Sequence, residues 1–418
     1  MSESALILSG LIIATITVQA ILVLGFARTL RRKSPELISN DAAPRAAVIL
    51  CLRGGDPFLA ECLRGLINQD YPDYDIRIVV DHPNDPARQI VAEVLEQNTS
   101  ARVQMEFLQE PRPTCSLKCS SILQVVESLD DSYHFIAQLD ADTVAHPTWL
   151  RELATALADE KVGAATGNRW YMPASYGLGS MVRYGWNAAA IVQMYWYQIA
   201  WGGTLAVKMQ LFKETNLLEK WGNAFCEDTM LHAALKKAGQ RVAFVPSLMM
   251  INREECTLSG FFPWVCRQLM TARLYHPAWL GVVGHGVITT LLPVFALGTF
   301  VHALATNEIT SAIGIAVAFL VYELSLIVLL WPLENSIRKI AQRRGEPTNW
   351  LSTLGFLKFL VVMPVTQVVY AVALVSSVAA KSTSWRGIEY QVDGPWQIQM
   401  LKYQPFEQTE SQDQKSSL

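Results

Sequence analysis

No charged residue occurs between Glu3 and Arg28, and Ala5 to Ala27 is mostly Leu, Ile, Val and Ala. About 20 such residues are enough for a helix to cross the hydrocarbon core of a bilayer. A secretion signal carries its positive charges before a shorter apolar run. Here Arg28, Arg31, Arg32 and Lys33 come after it. That order reads as a membrane span over residues 5–27 with its C-terminal end in the cytoplasm. A buried helix of a soluble domain is the plainer alternative, and the run is long for one.

Three further apolar stretches occupy residues 278–305, 309–332 and 354–380. The second of these is broken by Glu323, which either serves a function or hydrogen-bonds a neighbouring helix. The third has Lys358 near its start, where the side chain can snorkel to the interface. A basic loop with Arg338, Lys339, Arg343 and Arg344 belongs on the cytoplasmic side. The expectation is an integral, multi-pass membrane protein whose large middle domain is cytosolic, in a bacterial inner membrane or its equivalent. Four crossings would leave the tail outside, yet residues 381–418, with Lys381 and Arg386, read as a cytosolic tail. One stretch is therefore expected to be interfacial or re-entrant, and the sequence leaves open which. The end of the tail, Gln408 to Leu418, is polar and expected to be disordered.

Composition narrows the rest. Charged residues make up 17% of the 418 and hydrophobic ones 51%, and the excess lies in the apolar runs. A net charge of −3 gives no footprint for nucleic acid. The seven cysteines form no CxxC pair and their odd number fits no disulfide framework, so reduced thiols in a cytosolic domain are expected.

Residues 45–255 are of a different kind. Ala47–Leu50, Ile76–Val80 and His134–Leu139 are strand candidates, with helical patterns over Pro57–Gln69 and Asp85–Gln97 between them. Strands alternating with helices imply βαβ units and a mainly parallel sheet flanked by helices. Ligands of such sheets bind beyond the carboxyl ends of the strands. Two of the three candidate strands are followed there by an aspartate, Asp81 and Asp140.

Asp140 and Asp142 flank Ala141. Two carboxylates so close repel unless a cation lies between them. Hard cations such as Mg²⁺ or Mn²⁺ accept such oxygens and bridge to phosphates. A helix N-cap explains the pair equally well, since Thr143 and Pro147 follow. Asp81 is placed to accept hydrogen bonds from a base or ribose, or to serve a turn. The Glu227-Asp228 pair opens a helical pattern, as a cap or as a general base for an acceptor hydroxyl.

In this order the three acidic sites resemble the inverting family 2 glycosyltransferases, over about Ala46 to Tyr275. Arg53-Gly54-Gly55-Asp56-Pro57, Gln69-Asp70-Tyr71-Pro72 and Asp85-Pro86-Ala87 look like the ceramide glucosyltransferase branch and its bacterial, hopanoid-glycosylating relatives. Trp385-Arg386-Gly387-Ile388-Glu389-Tyr390 resembles the segment that follows the last span in that branch. The resemblance implies a GT-A-like nucleotide-sugar domain plus α-helical transmembrane segments. It implies transfer of glucose or a related hexose from a UDP-sugar to a lipid acceptor. By the same resemblance Asp81, Lys118 and Asp140 bind the nucleotide sugar. Asp140 and Asp142 hold a divalent metal, Mg²⁺ or Mn²⁺, and Asp228, with Glu227 beside it, is the catalytic base. Trp201, Gly202 and Gly203 fall where the family has a loop near the acceptor or donor sugar.

The chain departs from the family at one place. A Q/RxxRW motif is expected before the second membrane region, and aligning Arg267 with its first position puts Met270 and Thr271 where Arg and Trp belong. Arg267, Gln268 and Arg273 remain as candidates for the diphosphate, or as interfacial anchors of the segment 256–277. Aromatics between Tyr176 and Tyr197, and from Phe261 to Trp279, are expected as a collar at the bilayer or as ordinary core. Processive polysaccharide synthesis and an inactive membrane scaffold are the competing readings.

Overall fold

The computed structural model describes residues 1–98, 102–173, 175, 177–348 and 353–406. Helix α1 (Glu3–Leu30) leads into an alternation of β1 (Ala46–Leu52), α2 (Leu59–Ile67), β2 (Tyr74–Val80), α3 (Pro86–Gln97), β3 (Val103–Phe107), α4 (Leu117–Ser128) and β4 (Phe135–Leu139). Then follow α5 (Trp149–Leu157), β5 (Val162–Tyr171), α6 (Leu178–Tyr197), β6 (Thr204–Lys208), α7 (Gln210–Glu214), α8 (Leu217–Trp221), α9 (Leu231–Lys237) and β7 (Arg241–Asn252). The second half is helical: α10 (Leu258–Tyr275), α11 (Trp279–Ala305), α12 (Ile309–Arg343) and α13 (Thr353–Ala379). Three short strands, β8 (Ser382–Trp385), β9 (Ile388–Gly394) and β10 (Gln397–Lys402), close the described chain.

The seven-stranded sheet has the order β3-β2-β1-β4-β6-β5-β7. All neighbours are parallel except β6, which runs antiparallel to both β4 and β5. This is the expected mixed, mainly parallel sheet. Strand β4 is buried at every position, as a continuous apolar run in the middle of a two-sided sheet must be. One layer of core lies between the sheet and α2, α3 and α5. A second lies on the other face, under α4, α8 and α9, and it also takes in Ile388, Tyr390 and Val392 of the tail.

Among the described residues four helices are long and apolar enough to cross a membrane: α1, α11, α12 and residues 357–379 of α13. Helix α12 continues past the expected end at residue 332 to Arg343, and its last turns pack beneath the catalytic sheet. There Arg344 donates to the carbonyls of Ser247 and Met249, both 2.8 Å away, in β7. Arg31, at the end of α1, donates to Ser336 Oγ at 2.9 Å. Both flanks of α13 meet the same domain. Arg253 donates to Pro347 O (2.8 Å) ahead of it, and Arg273 donates to the carbonyls of Val378 and Ala380 at its end.

The tail is folded over residues 382–402, where β8–β10 form an antiparallel sheet seated on the core of the α/β domain. The expected disorder of Gln408–Leu418 lies outside the described residues, as does Tyr176. Of the two readings of the aromatics, ordinary core describes most of those in α6. Tyr184 and Trp170 both donate to Glu334 Oε2 at 2.8 Å, and Tyr195 stacks on Phe26. Trp196, 45% exposed, is the aromatic of α6 that faces outward.

Candidate active site

Loops at the carboxyl ends of β1, β2 and β4 open into one cavity of about 180 Å³, joined by α4, α10 and the tail. Asp140 and Asp142 follow β4 directly, and α5 begins only at Trp149, so the pair does not cap a helix. Lys118, in the first turn of α4, spans two acids: Asp140 Oδ1 at 2.8 Å and Glu227 Oε1 at 2.9 Å. Burial opposes the ammonium, but these two carboxylates outweigh it and hold Lys118 well above the ordinary lysine value. Burial likewise works against Asp140, and Lys118 reverses it, leaving Asp140 below the ordinary aspartate value. At Asp142 burial, reinforced by Glu254, Asp140 and Asp56, outweighs the pull of Arg169 and pushes the pKa up to about 7. Asn252 Nδ2 donates to Asp142 Oδ2 at 3.2 Å.

Among the described residues no group of three or more His, Cys, Asp or Glu forms a ready metal cage. Asp140 and Asp142 nevertheless offer hard oxygens, and the carboxylate crowding at Asp142 is what a cation would relieve. A pair of carboxylates suits Mg²⁺, which is usually held by one or two of them plus phosphate and water.

The turn Trp201-Gly202-Gly203 leads into β6 and presses against these acids. A Cβ on Gly202 would collide with Glu227 and approach Asp228, and one on Gly203 would lie 2.6 Å from Asp140 Oδ2. Only glycine admits backbone this close. Gly202 N donates to Asp228 Oδ2 at 2.8 Å, while Thr229 N (2.6 Å) and Oγ1 (2.9 Å) both donate to Oδ1. Asp228 is thus held from both sides as an acceptor-only carboxylate. Glu227 does not share its position. It is buried, tied to Lys118, and burial raises its pKa, so the expected pairing of Glu227 with Asp228 as catalytic groups is corrected. Glu227 positions Lys118 instead.

Asp81 lies at the cavity wall in an ion pair with Arg53, from the loop after β1. Arg267 and Gln268 of α10 line the cavity. Arg273 does not; it fastens the end of α13. Met270 points into the core, and Thr271 faces the cavity. Arg53, Asp56, Arg169 and Arg386 were not singled out by sequence as site residues, though all four line the cavity. Arg169, on the long strand β5, donates to Gln268 Oε1 at 3.2 Å and stacks on Trp264.

A second cavity, of about 240 Å³, runs from this point between α1, α6, α11, α12 and α13. Leu22, Val23, Val192, Leu326, Leu330 and Met363 are among its walls. The two cavities share Arg169, Trp201, Asp228, Gln268 and Thr271. Asp228 therefore stands at the neck between a charged chamber and an apolar one.

The profile of glycosyl transferase family 21 matches residues 4–396, nearly the whole chain. The chain belongs to glycosyl transferase family 21. As a family 21 protein it is a glycosyltransferase, and the expected kinship to GT-A enzymes holds at the level of fold. A mannosyltransferase from Pyrobaculum calidifontis, solved in complex with GDP-mannose and Mn²⁺, superposes with a TM-score of 0.50 at 16% identity. That alignment covers 89% of this chain and 99% of the other. Glucosyl-3-phosphoglycerate synthase from Mycobacterium tuberculosis, in complex with Mn²⁺, UDP and glucosyl-3-phosphoglycerate, aligns with a TM-score of 0.37 at 12% identity. It covers 55% of this chain and 79% of the other. No curated protein matches the chain at a significant level.

Proposed function

We propose that this family 21 enzyme transfers a hexose, glucose or a close relative, from a UDP-sugar to the hydroxyl of a membrane lipid, as ceramide-glucosyltransferase-like enzymes do. The observation that carries this reading is the junction of the two cavities at Asp228. A nucleotide diphosphate with a divalent cation suits a chamber in which Arg53, Lys118, Arg169, Arg267 and Arg386 stand among six acids. A hydrocarbon chain suits one walled by Leu, Val and Met between apolar helices. The GDP-mannose and Mn²⁺ bound by the Pyrobaculum neighbour accord with a nucleotide-sugar donor and a divalent cation.

In the proposed mechanism the acceptor hydroxyl enters the neck from the apolar side and hydrogen-bonds to Asp228. Asp228 takes the proton as the hydroxyl oxygen attacks the anomeric carbon. The bond from that carbon to the diphosphate breaks on the opposite side, so one displacement inverts the configuration. Gly202 N and Thr229 keep the Asp228 carboxylate oriented through the step. Asp140 and Asp142 would hold Mg²⁺ or Mn²⁺, which neutralises charge on the departing diphosphate. Lys118 keeps Asp140 ionised for that role. Trp201 and Arg169 close the neck against water.

We further read the membrane arrangement as three crossings, with the catalytic domain cytosolic: α1 enters, α11 leaves and α12 returns. Helix α13 then lies along the cytosolic face, because contacts on both of its flanks tie it to the catalytic domain. This arrangement accounts for the parity that four crossings left unresolved.

The test is incubation of membranes containing the protein with labelled UDP- and GDP-hexoses, followed by lipid extraction. A labelled lipid that depends on Asp228 is the expected product. An insoluble polymer, or no labelled lipid with any donor, overturns the reading.

A further inference from the structure

The C-terminal sheet has no part in the mechanism above, yet one of its turns reaches the donor chamber. Strands β8 and β9 pair Trp385 with Ile388, leaving Arg386-Gly387 as a two-residue hairpin loop. Both loop residues have positive φ, 47° and 77°. Glycine adopts that backbone freely, whereas arginine pays for it with roughly 1–2 kcal/mol of local strain. The surrounding contacts hold Arg386 there. Its Nη2 lies 2.6 Å from Asp56 Oδ1, its Nη1 donates to Arg53 O, and Arg53 Nε donates back to Arg386 O at 2.8 Å.

The turn is anchored by the rest of the tail. Leu117 N, one residue before Lys118, donates to Tyr390 Oη at 3.2 Å. Met400 N donates to Pro113 O at 2.7 Å, and Tyr403 Oη donates to the carbonyl of Asp81. The Phe406 ring lies against Gly54, which has φ of 80°. The hairpin tip is thus fixed to the loops after β1 and β2 and to the start of α4, elements that carry the proposed donor site.

Cations gather around it. Arg267 stacks over Trp385, the neighbour of Arg386, and donates to Ser384 O at 3.3 Å. Burial lowers the Arg267 pKa to about 10, and Arg386 and Arg169 add to the fall. Three guanidiniums thus converge at the chamber wall, and Asp56, Asp142 and Glu254 hold the charge on Arg386. Asp56 holds one side of the Arg386 guanidinium, and the residue still lines the chamber. The neighbouring helix has Met270 and Thr271 where the resembled family has Arg and Trp, and Met270 faces the core.

We propose that Arg386 binds the diphosphate of the donor, the hairpin tip supplying from the tail a second guanidinium beside that of α10. Arg267 faces the same anion from the helix. The fork of Arg386 gives paired hydrogen bonds to phosphate oxygens that a lysine cannot reproduce. This rests on the nucleotide-sugar reading given above, and the experiment separates the two.

Full-length protein in detergent is titrated with UDP, GDP and UMP in the presence of Mg²⁺. For Arg386→Ala and Arg386→Gln the affinity for the diphosphate should fall about tenfold to a hundredfold. UMP affinity should change much less, so that the preference for UDP over UMP shrinks. Arg386→Lys should recover part of that preference. Equal weakening of UMP and UDP, or rescue of the full preference by lysine, overturns the assignment in favour of a merely structural turn. Unchanged UDP binding in both Ala and Gln variants overturns it outright. If the unaltered protein binds neither UDP nor GDP, the donor reading itself fails and takes this one with it.

Discussion

The charged chamber is walled by strand ends, tight glycine turns and a hairpin borrowed from the tail. The apolar chamber is walled by the flanks of long helices. In the first, each group is fixed by a partner: Lys118 by Asp140 and Glu227, Asp228 by Gly202 and Thr229, Arg386 by Asp56. In the second, shape and hydrocarbon do the selecting, with a few polar groups such as Gln193 and His285 bonded to each other at 3.1 Å. The difference teaches that donor recognition here tolerates few changes of charge, whereas acceptor recognition should tolerate changes that preserve volume.

The comparison breaks most sharply at the residue the chambers share. Asp228→Asn should lower turnover by about 10²–10⁴-fold while UDP binding is retained. Turnover within a few fold of the unaltered enzyme would remove Asp228 as the base. Strong chelation, or Asp142→Asn, should cost about a hundredfold in transfer, since metal stabilisation of a leaving group amounts to several kcal/mol. Full activity in chelator would mean that the charged chamber works through its own cations alone.

Thr271→Trp sharpens the comparison at the neck. It restores a bulky ring where the resembled family has one, beside Asp228 and between the chambers. The KM for the lipid acceptor should rise by about tenfold, on the order of the 1–3 kcal/mol typical of overpacking. Slow hydrolysis of the donor should persist, because Lys118, Asp140 and Asp142 on the far side of the charged chamber are unaltered. Equal loss of both activities would show that the two chambers are not separable.

The smallest effect concerns pH. Asp142 titrates near 7 when folded, against an ordinary value of 3.8. A carboxyl raised in the folded state contributes stability that is full below its unfolded pKa and is lost as pH rises through the folded one. Metal-free protein should therefore lose a little thermal stability between about pH 4 and 7 on this account, and Asp142→Asn should flatten that slope. Mg²⁺ binding should strengthen over the same rise, as the proton leaves. A melting curve with no difference between the two proteins across that range would place the titration elsewhere.

Much of the charged chamber was legible in the sequence. Asp81 and Asp140 follow short strand candidates, Asp142 and Asp228 sit beside local signals, a doublet and an acidic pair, and Lys118 was marked by the family resemblance. These are short-range features, which a linear reading can register. Arg53, Asp56 and Arg386 were missed because their meeting joins residues some 330 apart, and no local pattern announces it. One signal was available: Arg-Gly between Ser382–Trp385 and Ile388–Gly394 marks a two-residue hairpin. It gives the turn and not its docking partner. The apolar runs were plain, but their composition does not tell a crossing helix from one lying along the surface. For α13 the proposed position along the surface rests on the contacts of Arg253 and Arg273. Arg273 also shows the converse error: a cation in the right stretch of sequence, on the wrong side of its helix.

The wall of the donor chamber begins with Cys51 and ends with Tyr390. A ribosome reading this message makes the first of these residues long before the last. Until the tail has emerged and folded back across α10, the chamber lacks a side, and the newly inserted chain holds an incomplete pocket. Polypeptides cut short by a premature stop or by proteolysis ahead of β8 would reach the membrane with helices and sheet in place and the donor pocket open. Synthesis through β9 is thus built into the assembly of the site.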